Sequence, residues 1–205
     1  MKIICIGRNY SEHVTEMKSE APENPVFFLK ADSCLLTRNR PFYIPEFSNE
    51  IHYECELVLR ISKVGKYIEE RFAHRYYDAV TLGIDFTARD LQQECKKAGL
   101  PWAISKSFDG SACLGSFFSL TDIPDISSIP FRLYRNDMLV QSGNSAEMIF
   151  SFDQIIAFIS RYMTLKTGDL IYTGTPAGVG EIEIGDSLTA YLANLPKPVI
   201  QMKIK

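Results

Sequence analysis

The longest strand-like run in this chain of 205 residues is Ile51 to Ile61, IHYECELVLRI, and it carries acids at alternate positions of an otherwise apolar stretch. Successive strand side chains point to opposite faces, so Glu54 and Glu56 share one face, roughly 6.5–7 Å apart along it. Asp85 closes a second strand-like run, TLGID. Two acids on one face and a third on a neighbouring strand can grip one cation with oxygen donors, the chemistry suited to Mg2+, Mn2+ or Ca2+. The same spacing also describes the wet face of an edge strand, with His52 and Arg60 beside the acids and Tyr53, Cys55, Leu57 and Leu59 turned inward.

The remaining signals predict many short strands and few helices. Lys2 to Ile6 reads as a buried strand ending at Gly7, and Pro25 to Lys30 (PVFFLK) as another. Between them, Ser11 to Pro25 is polar and supports a short helix at most. A helix is expected from about Thr87 to Ala98, with Gly99 as its C-cap and Pro101 beyond; Lys96 and Lys97 suit the negative end of its dipole. FRLYRNDMLVQSG predicts a hairpin turning at Asn136-Asp137. Phe152 to Tyr162 predicts an amphipathic helix capped by Ser151 or Asp153. The expectation is an α+β fold, one domain over 1–205, with no internal repeat or linker.

Bulk properties narrow the function. The formal net charge is −3 with basic residues dispersed, so no nucleic-acid footprint is present. No apolar run approaches the roughly 20 residues a membrane span needs. The five cysteines form no CxxC pair and are odd in number, which predicts reduced thiols and a cytoplasmic setting, not a disulfide framework or zinc site.

Several other residues carry possible chemistry. His13 and Glu16, in GRNYSEHVTEM, share a face if the segment turns helically, and a carboxylate beside an imidazole makes a general base. Such a polar loop ahead of a strand is also where a lid would sit. Lys106, in LPWAISKSFDGS, would feel metal charge and desolvation, both disfavouring its ammonium form, and could bind a carboxylate or an enolate. Lys30 has a similar claim. TGTPAGVG (Thr173 to Gly180) has no Gly-Lys-Ser/Thr ending, so it is no Walker motif, and no GxGxxG follows the first strand. The turn can still bring backbone N–H groups and the Thr175 hydroxyl to a ligand. His52 and His74 take no role, and Trp102 reads as a core anchor or interface residue.

Taken in order, GRNYSEHVTEM, FFLK, YECEL, GIDFTARDLQQECKKAGLPWAISKSFD and TGTPAGVG resemble the fumarylacetoacetate hydrolase family across almost the whole chain. RDLQQECKKAGLPW and SAEMIFSFDQIIAFIS resemble its small acylpyruvase type, also described as an oxaloacetate decarboxylase. The resemblance implies a mixed β-sandwich roll working as a homodimer, with Glu54, Glu56 and Asp85 binding Mg2+ or Mn2+ (Ca2+ is a third option). It assigns His13 and Glu16 to a water-activating dyad on a lid over roughly residues 11–25, and Lys106 to catalysis. Arg89, Gln92, Thr175 and Lys30 become substrate-facing candidates. One departure is Tyr53, where acylpyruvase-type relatives tend to carry His; it spares the metal ligands and bears on pocket shape. The activity implied is metal-dependent C–C hydrolysis of an acylpyruvate-type 2,4-dioxo acid to pyruvate and a carboxylic acid. The same site could instead decarboxylate oxaloacetate or isomerise a hydroxymuconate-type diacid. A non-catalytic metal and ligand-binding module is the alternative of another class, and the intact His13–Glu16 pair argues against it.

Overall fold

A computed structural model describes residues 1–17 and 20–205. The chain begins with β1 (Ile3–Gly7), a six-residue helix α1 (Ser11–Glu16), β2 (Val26–Lys30) and β3 (Leu35–Thr37). It continues through β4 (Ile51–Tyr53), β5 (Cys55–Ile61), α2 (Glu70–Ala73), β6 (Tyr77–Asp85), β7 (Thr87–Ala88), α3 (Arg89–Ala98) and α4 (Ala103–Lys106). The remainder comprises β8 (Ala112–Leu114), β9 (Phe118–Ser119), β10 (Pro130–Arg135), β11 (Met138–Asn144), α5 (Phe152–Tyr162), β12 (Leu170–Tyr172), β13 (Gly180–Glu181), β14 (Ser187–Leu192) and β15 (Ile200–Lys203).

An eight-stranded mixed sheet runs β2-β1-β12-β5-β6-β8-β3, with β9 also on β6. β10, β11, β14 and β15 form a four-stranded antiparallel sheet, and β13, β4 and β7 a small third one. The α+β expectation of a mixed sheet with few helices is met. No helix among the described residues is long and apolar enough to cross a membrane.

The run expected as one strand from Ile51 to Ile61 is divided at Glu54. Its first part pairs with β7 and β13 in the small sheet, whereas β5 lies between β12 and β6 in the large one. This overturns the edge-strand reading. A strand hydrogen-bonded on both sides is no edge, and β5 is buried on both faces at every residue but Arg60. Leu57 and Leu59 join the main core cluster, and Val58 a second cluster with Ile3 and Tyr172.

α3 begins at Arg89, two residues later than expected, because Thr87 and Ala88 pair with β4. It ends as predicted at Gly99. α5 has the expected limits, and Ser151 is its cap, accepting the Gln154 N–H in a reciprocal capping box. Asn136 and Asp137 turn the β10–β11 hairpin with φ of 50° and 65°, as a two-residue type I′ connection requires. All five cysteines are buried and unpaired.

Candidate active site

The acids come together because the strand ladder is in register at its end. Cys55 pairs with Ile84 and Glu56 with Gly83, while the Asp85 N–H donates to the Glu54 carbonyl at 2.8 Å. The three carboxylates therefore converge on one point, each offering an oxygen within 4.8 Å of the others. Glu54, Glu56 and Asp85 are only 7%, 1% and 1% exposed. Carboxylates are almost never this buried without compensation.

The compensation is visible. Lys106, on α4, donates from Nζ to Glu54 Oε2 and Asp85 Oδ2, both at 2.7 Å, and to Thr87 Oγ1 at 2.5 Å. Arg89, at the start of α3, donates from Nη2 to Glu54 Oε1 and from Nη1 to Gln92 Oε1, both at 2.7 Å. Burial alone would raise the Glu54 carboxyl, but Lys106 and Arg89 outweigh it and hold it below the usual carboxylate range. Glu56 moves the opposite way. Burial, then the charges of Asp85 and Glu54, push it well above that range, although the Gly174 N–H donates to its Oε2 at 2.7 Å. At Lys106 burial opposes the charge, but Asp85 and Glu54 prevail and raise its pKa.

The group fits a divalent cation on its own chemistry. Its donors are all carboxylate oxygens, and the third acid is held towards protonation by burial and then by two negative neighbours, a shortage of positive charge that a cation would relieve. Asp85 Oδ1 lies 2.6 Å from Lys30 Nζ yet takes part in no directed hydrogen bond, so a coordination direction stays free.

These acids line a narrow cleft of about 70 Å3, the scale of a small organic acid. His13, Arg89, Gln92, Lys106 and Thr175 line it with them. His13 is buried on α1, and its Nδ1 lies 3.1 Å from Glu16 Oε2, which leaves Nε2 without a protein partner among the described residues. Glu16 Oε1 accepts the Gly178 N–H at 3.0 Å, so one carboxylate ties α1 to the glycine-rich loop. Gly178 has φ of 94°, and a Cβ there would run into the Val140 carbonyl, so only glycine serves. The lid expected over 11–25 includes Lys18 and Ser19, which lie outside the described residues.

Of two expected substrate contacts, Thr175 lines the cleft and Lys30 does not. Lys30 lies behind the cleft with a fully buried side chain, paired with Asp85 and donating to the carbonyls of Phe86, Lys106 and Ser111. Its geometry positions Asp85 instead of meeting a ligand. Thr175 reaches the cleft, but its hydroxyl donates to the Cys55 carbonyl at 2.8 Å. The loop's donors thus serve the site's own carboxylates and β5, where the sequence suggested a ligand. Tyr53 pairs with Gly180 outside the cleft lining.

Other residues went unassigned in the sequence. Gln141, buried on β11, accepts the Cys55 N–H at 2.9 Å and donates to Thr175 Oγ1 at 2.8 Å and the Pro176 carbonyl at 3.0 Å. Trp102, expected in the core or an interface, is half-buried on the cleft wall, packed edge-on to Phe28. Arg8 and Lys96 also line the cleft. The i, i+3, i+7 spacing of Arg89, Gln92 and Lys96 was the available signal, since it places all three on one helical face.

The model of the fumarylacetoacetate hydrolase C-terminal family matches residues 2–201. The chain belongs to the fumarylacetoacetate hydrolase family. Among family members with names, it is 40% identical over 203 residues to the mitochondrial oxaloacetate tautomerase FAHD1 of Bos taurus, covering 99% of this chain and 90% of that one. It is 38% identical over 195 residues to the mitochondrial oxaloacetate decarboxylase of Dictyostelium discoideum, covering 95% and 89%. A solved fumarylpyruvate hydrolase from Pseudomonas aeruginosa, in complex with Mn2+ and pyruvate, superimposes with a TM-score of 0.93 at 30% identity, covering 100% of this chain and 90% of that chain. Members of this fold family thus include hydrolases, decarboxylases and tautomerases, and the chain is a family enzyme with a buried acidic triad able to hold a metal.

Proposed function

We propose that this enzyme, loaded with Mg2+ or Mn2+, catalyses proton transfer at C3 of oxaloacetate, interconverting its enol and keto forms. The observation that carries the reading is His13, backed by Glu16, on the same cleft as the acidic triad. Identity near 40% over almost the whole chain to an oxaloacetate tautomerase supports the choice of substrate.

The steps follow from the residues. Arg89 and Gln92 form the polar wall that can receive the 2-oxo acid's carboxylate, since Gln92 has an uncommitted amide nitrogen among the described residues. A divalent cation at Glu54, Glu56 and Asp85 supplies Lewis-acid polarisation of the carbonyl when bound. Glu16 accepts from His13 Nδ1–H and so fixes the tautomer with its lone pair at Nε2. In the keto-to-enol direction His13 Nε2 takes the C3 proton while the C2 oxygen gains one from solvent, and the reverse direction returns a proton to C3 as the enol oxygen loses its own. Lys106 can exchange one of its three bonds for the developing oxyanion. Burial of His13 and the triad keeps bulk water from competing for the proton.

A second reading is favoured by the same dyad: His13 would activate water for hydrolysis of an acylpyruvate-type 2,4-dioxo acid, as the fold likeness to a fumarylpyruvate hydrolase suggests. The discriminating experiment follows freshly dissolved enol-oxaloacetate and acetylpyruvate in the ultraviolet with Mn2+. Fast loss of the enol with slow loss of acetylpyruvate supports the tautomerase; the reverse replaces it with the hydrolase. Oxaloacetate loss with stoichiometric pyruvate and CO2 replaces it with decarboxylation. The family resemblance supports a homodimer, and the buried, unpaired cysteines support a reducing compartment such as the cytoplasm.

A further inference from the structure

Two of the cationic groups that line the cleft are not paired with its acids. Arg89 and Lys106 are bonded to Glu54 and Asp85, and Lys30 is paired with Asp85 from behind. All three are thus engaged by Glu54 or Asp85, while Glu56 accepts the Gly174 N–H. Arg8 and Lys96 line the same cleft, and neither makes an ion pair among the described residues.

Both are held there by specific structure. Lys96 is the third member of the α3 face that carries Arg89 and Gln92, and its ammonium stands over the Trp102 ring, 5.5 Å from the centroid. Trp102 packs edge-on against Phe28, over whose ring the Lys106 ammonium lies at 5.2 Å. The two lysines therefore stand on a connected pair of aromatic rings, one at the acids and one away from them. Lys97, the next residue, is exposed and does not line the cleft.

Arg8 has a left-handed backbone, φ 61°, which a long side chain rarely adopts. Asn9 is clamped by donating to the carbonyls of Phe150 (3.1 Å) and Thr173 (2.8 Å) and by accepting the Phe150 N–H (2.7 Å). A strained residue held this firmly beside a reactive cleft is a reason to look for what it contacts. Gathering Arg8, Arg89 and Lys96 is itself unfavourable: burial, then Arg89 and Arg8, lower the Lys96 pKa.

The geometry points to Arg8 and Lys96 as the site for a second carboxylate, which makes this enzyme selective for 2-oxo dicarboxylates over 2-oxo monocarboxylates. This inference rests on the 2-oxo-acid reading above and adds the residues that choose among such acids. Neither residue touches the reacting atoms; both determine specificity.

The test measures binding alone. Mn2+-loaded protein is titrated calorimetrically with malate and with 2-hydroxybutyrate, inert four-carbon acids that differ in a terminal carboxylate against a methyl group. Wild type is expected to prefer malate about tenfold or more, the effect of a charge-assisted contact. Lys96→Met should reduce that preference to about twofold, with 2-hydroxybutyrate binding unchanged within about twofold. Arg8→Met should act the same way, whereas Lys96→Arg and Lys97→Met should keep the preference. Should Arg8→Met fail to fold, the Lys96 set decides alone, because that residue lies on an exposed helical surface. A preference that survives Lys96→Met, or equal weakening of both acids, overturns the subsite and leaves the 2-oxo-acid reading standing. Binding of neither acid by wild type overturns both.

Discussion

Lys106→Met isolates the electrostatic logic of the site. Lys106 Nζ lies 2.7 Å from an oxygen of Glu54 and of Asp85. At an effective dielectric of about 20, each contact is a gross attraction of about 6 kcal/mol. Desolvation of the ammonium removes most of that, and breaking a buried ion pair typically costs about 3–5 kcal/mol. Here the lower end applies, because Arg89 still holds Glu54 and Lys30 still holds Asp85. A loss of about 3 kcal/mol in a chain of this size lowers Tm by roughly 6–12 °C. The direction with metal is more telling. A divalent cation and Lys106 compete for the same oxygens, so the variant should bind the cation more tightly and gain more Tm from it. Differential scanning fluorimetry with EDTA and with saturating Mn2+ reads both effects. Wild type and variant melting within about 2 °C in EDTA, or equal Mn2+ shifts in both, would refute this account of the charge balance.

Three further outcomes follow from the contacts. His13→Ala should lower kcat about 10²–10⁴-fold while leaving Mn2+ affinity within twofold, since His13 is no cation ligand; a large fall in affinity would contradict the assignment. Gln141→Leu should destabilise by about 2–4 kcal/mol in urea unfolding, because the buried Cys55 N–H loses its acceptor; a change under about 0.5 kcal/mol would mean the loop finds other partners. Burial raises the Asp186 carboxyl, but the Glu183 N–H, Asn136 and Arg135 prevail and lower it, so its stabilisation is complete above the unfolded carboxyl pKa and fades as pH falls through the folded one. Asp186→Asn should therefore flatten the acid limb of Tm between about pH 5 and pH 3, and an unchanged limb would contradict it.

Much of the fold was legible because its elements carry local signals. Ser151 with Gln154 marks the start of α5, and Asn136-Asp137 marks the hairpin, through chemistry that acts within a few residues. The acids were legible for the same reason: a period of two puts them on one face. The break at Glu54 was not, because it depends on which strands pair with each half, a decision made by β6 and β7 far along the chain. Lys30, Gln141 and Arg8 were missed or misplaced on similar grounds. Their roles come from contacts with Asp85, Cys55 and the Asn9 clamp, across 55, 86 and 141 residues of sequence for the Lys30–Asp85, Gln141–Cys55 and Asn9–Phe150 contacts. No sequence pattern displays such partners, and Lys96 shows the limit: its helix-end position suggested a dipole contact, while the third dimension turns it into the cleft.

The most direct measurement is activity against bound metal. Protein stripped with EDTA and dialysed is titrated with Mn2+ while enol-oxaloacetate loss is followed in the ultraviolet. The account predicts no turnover without metal, full recovery at one equivalent per chain, and neither binding nor recovery in Glu56→Gln. Undiminished turnover in the stripped enzyme, or wild-type recovery by Glu56→Gln, would contradict a metal-dependent site built on Glu54, Glu56 and Asp85.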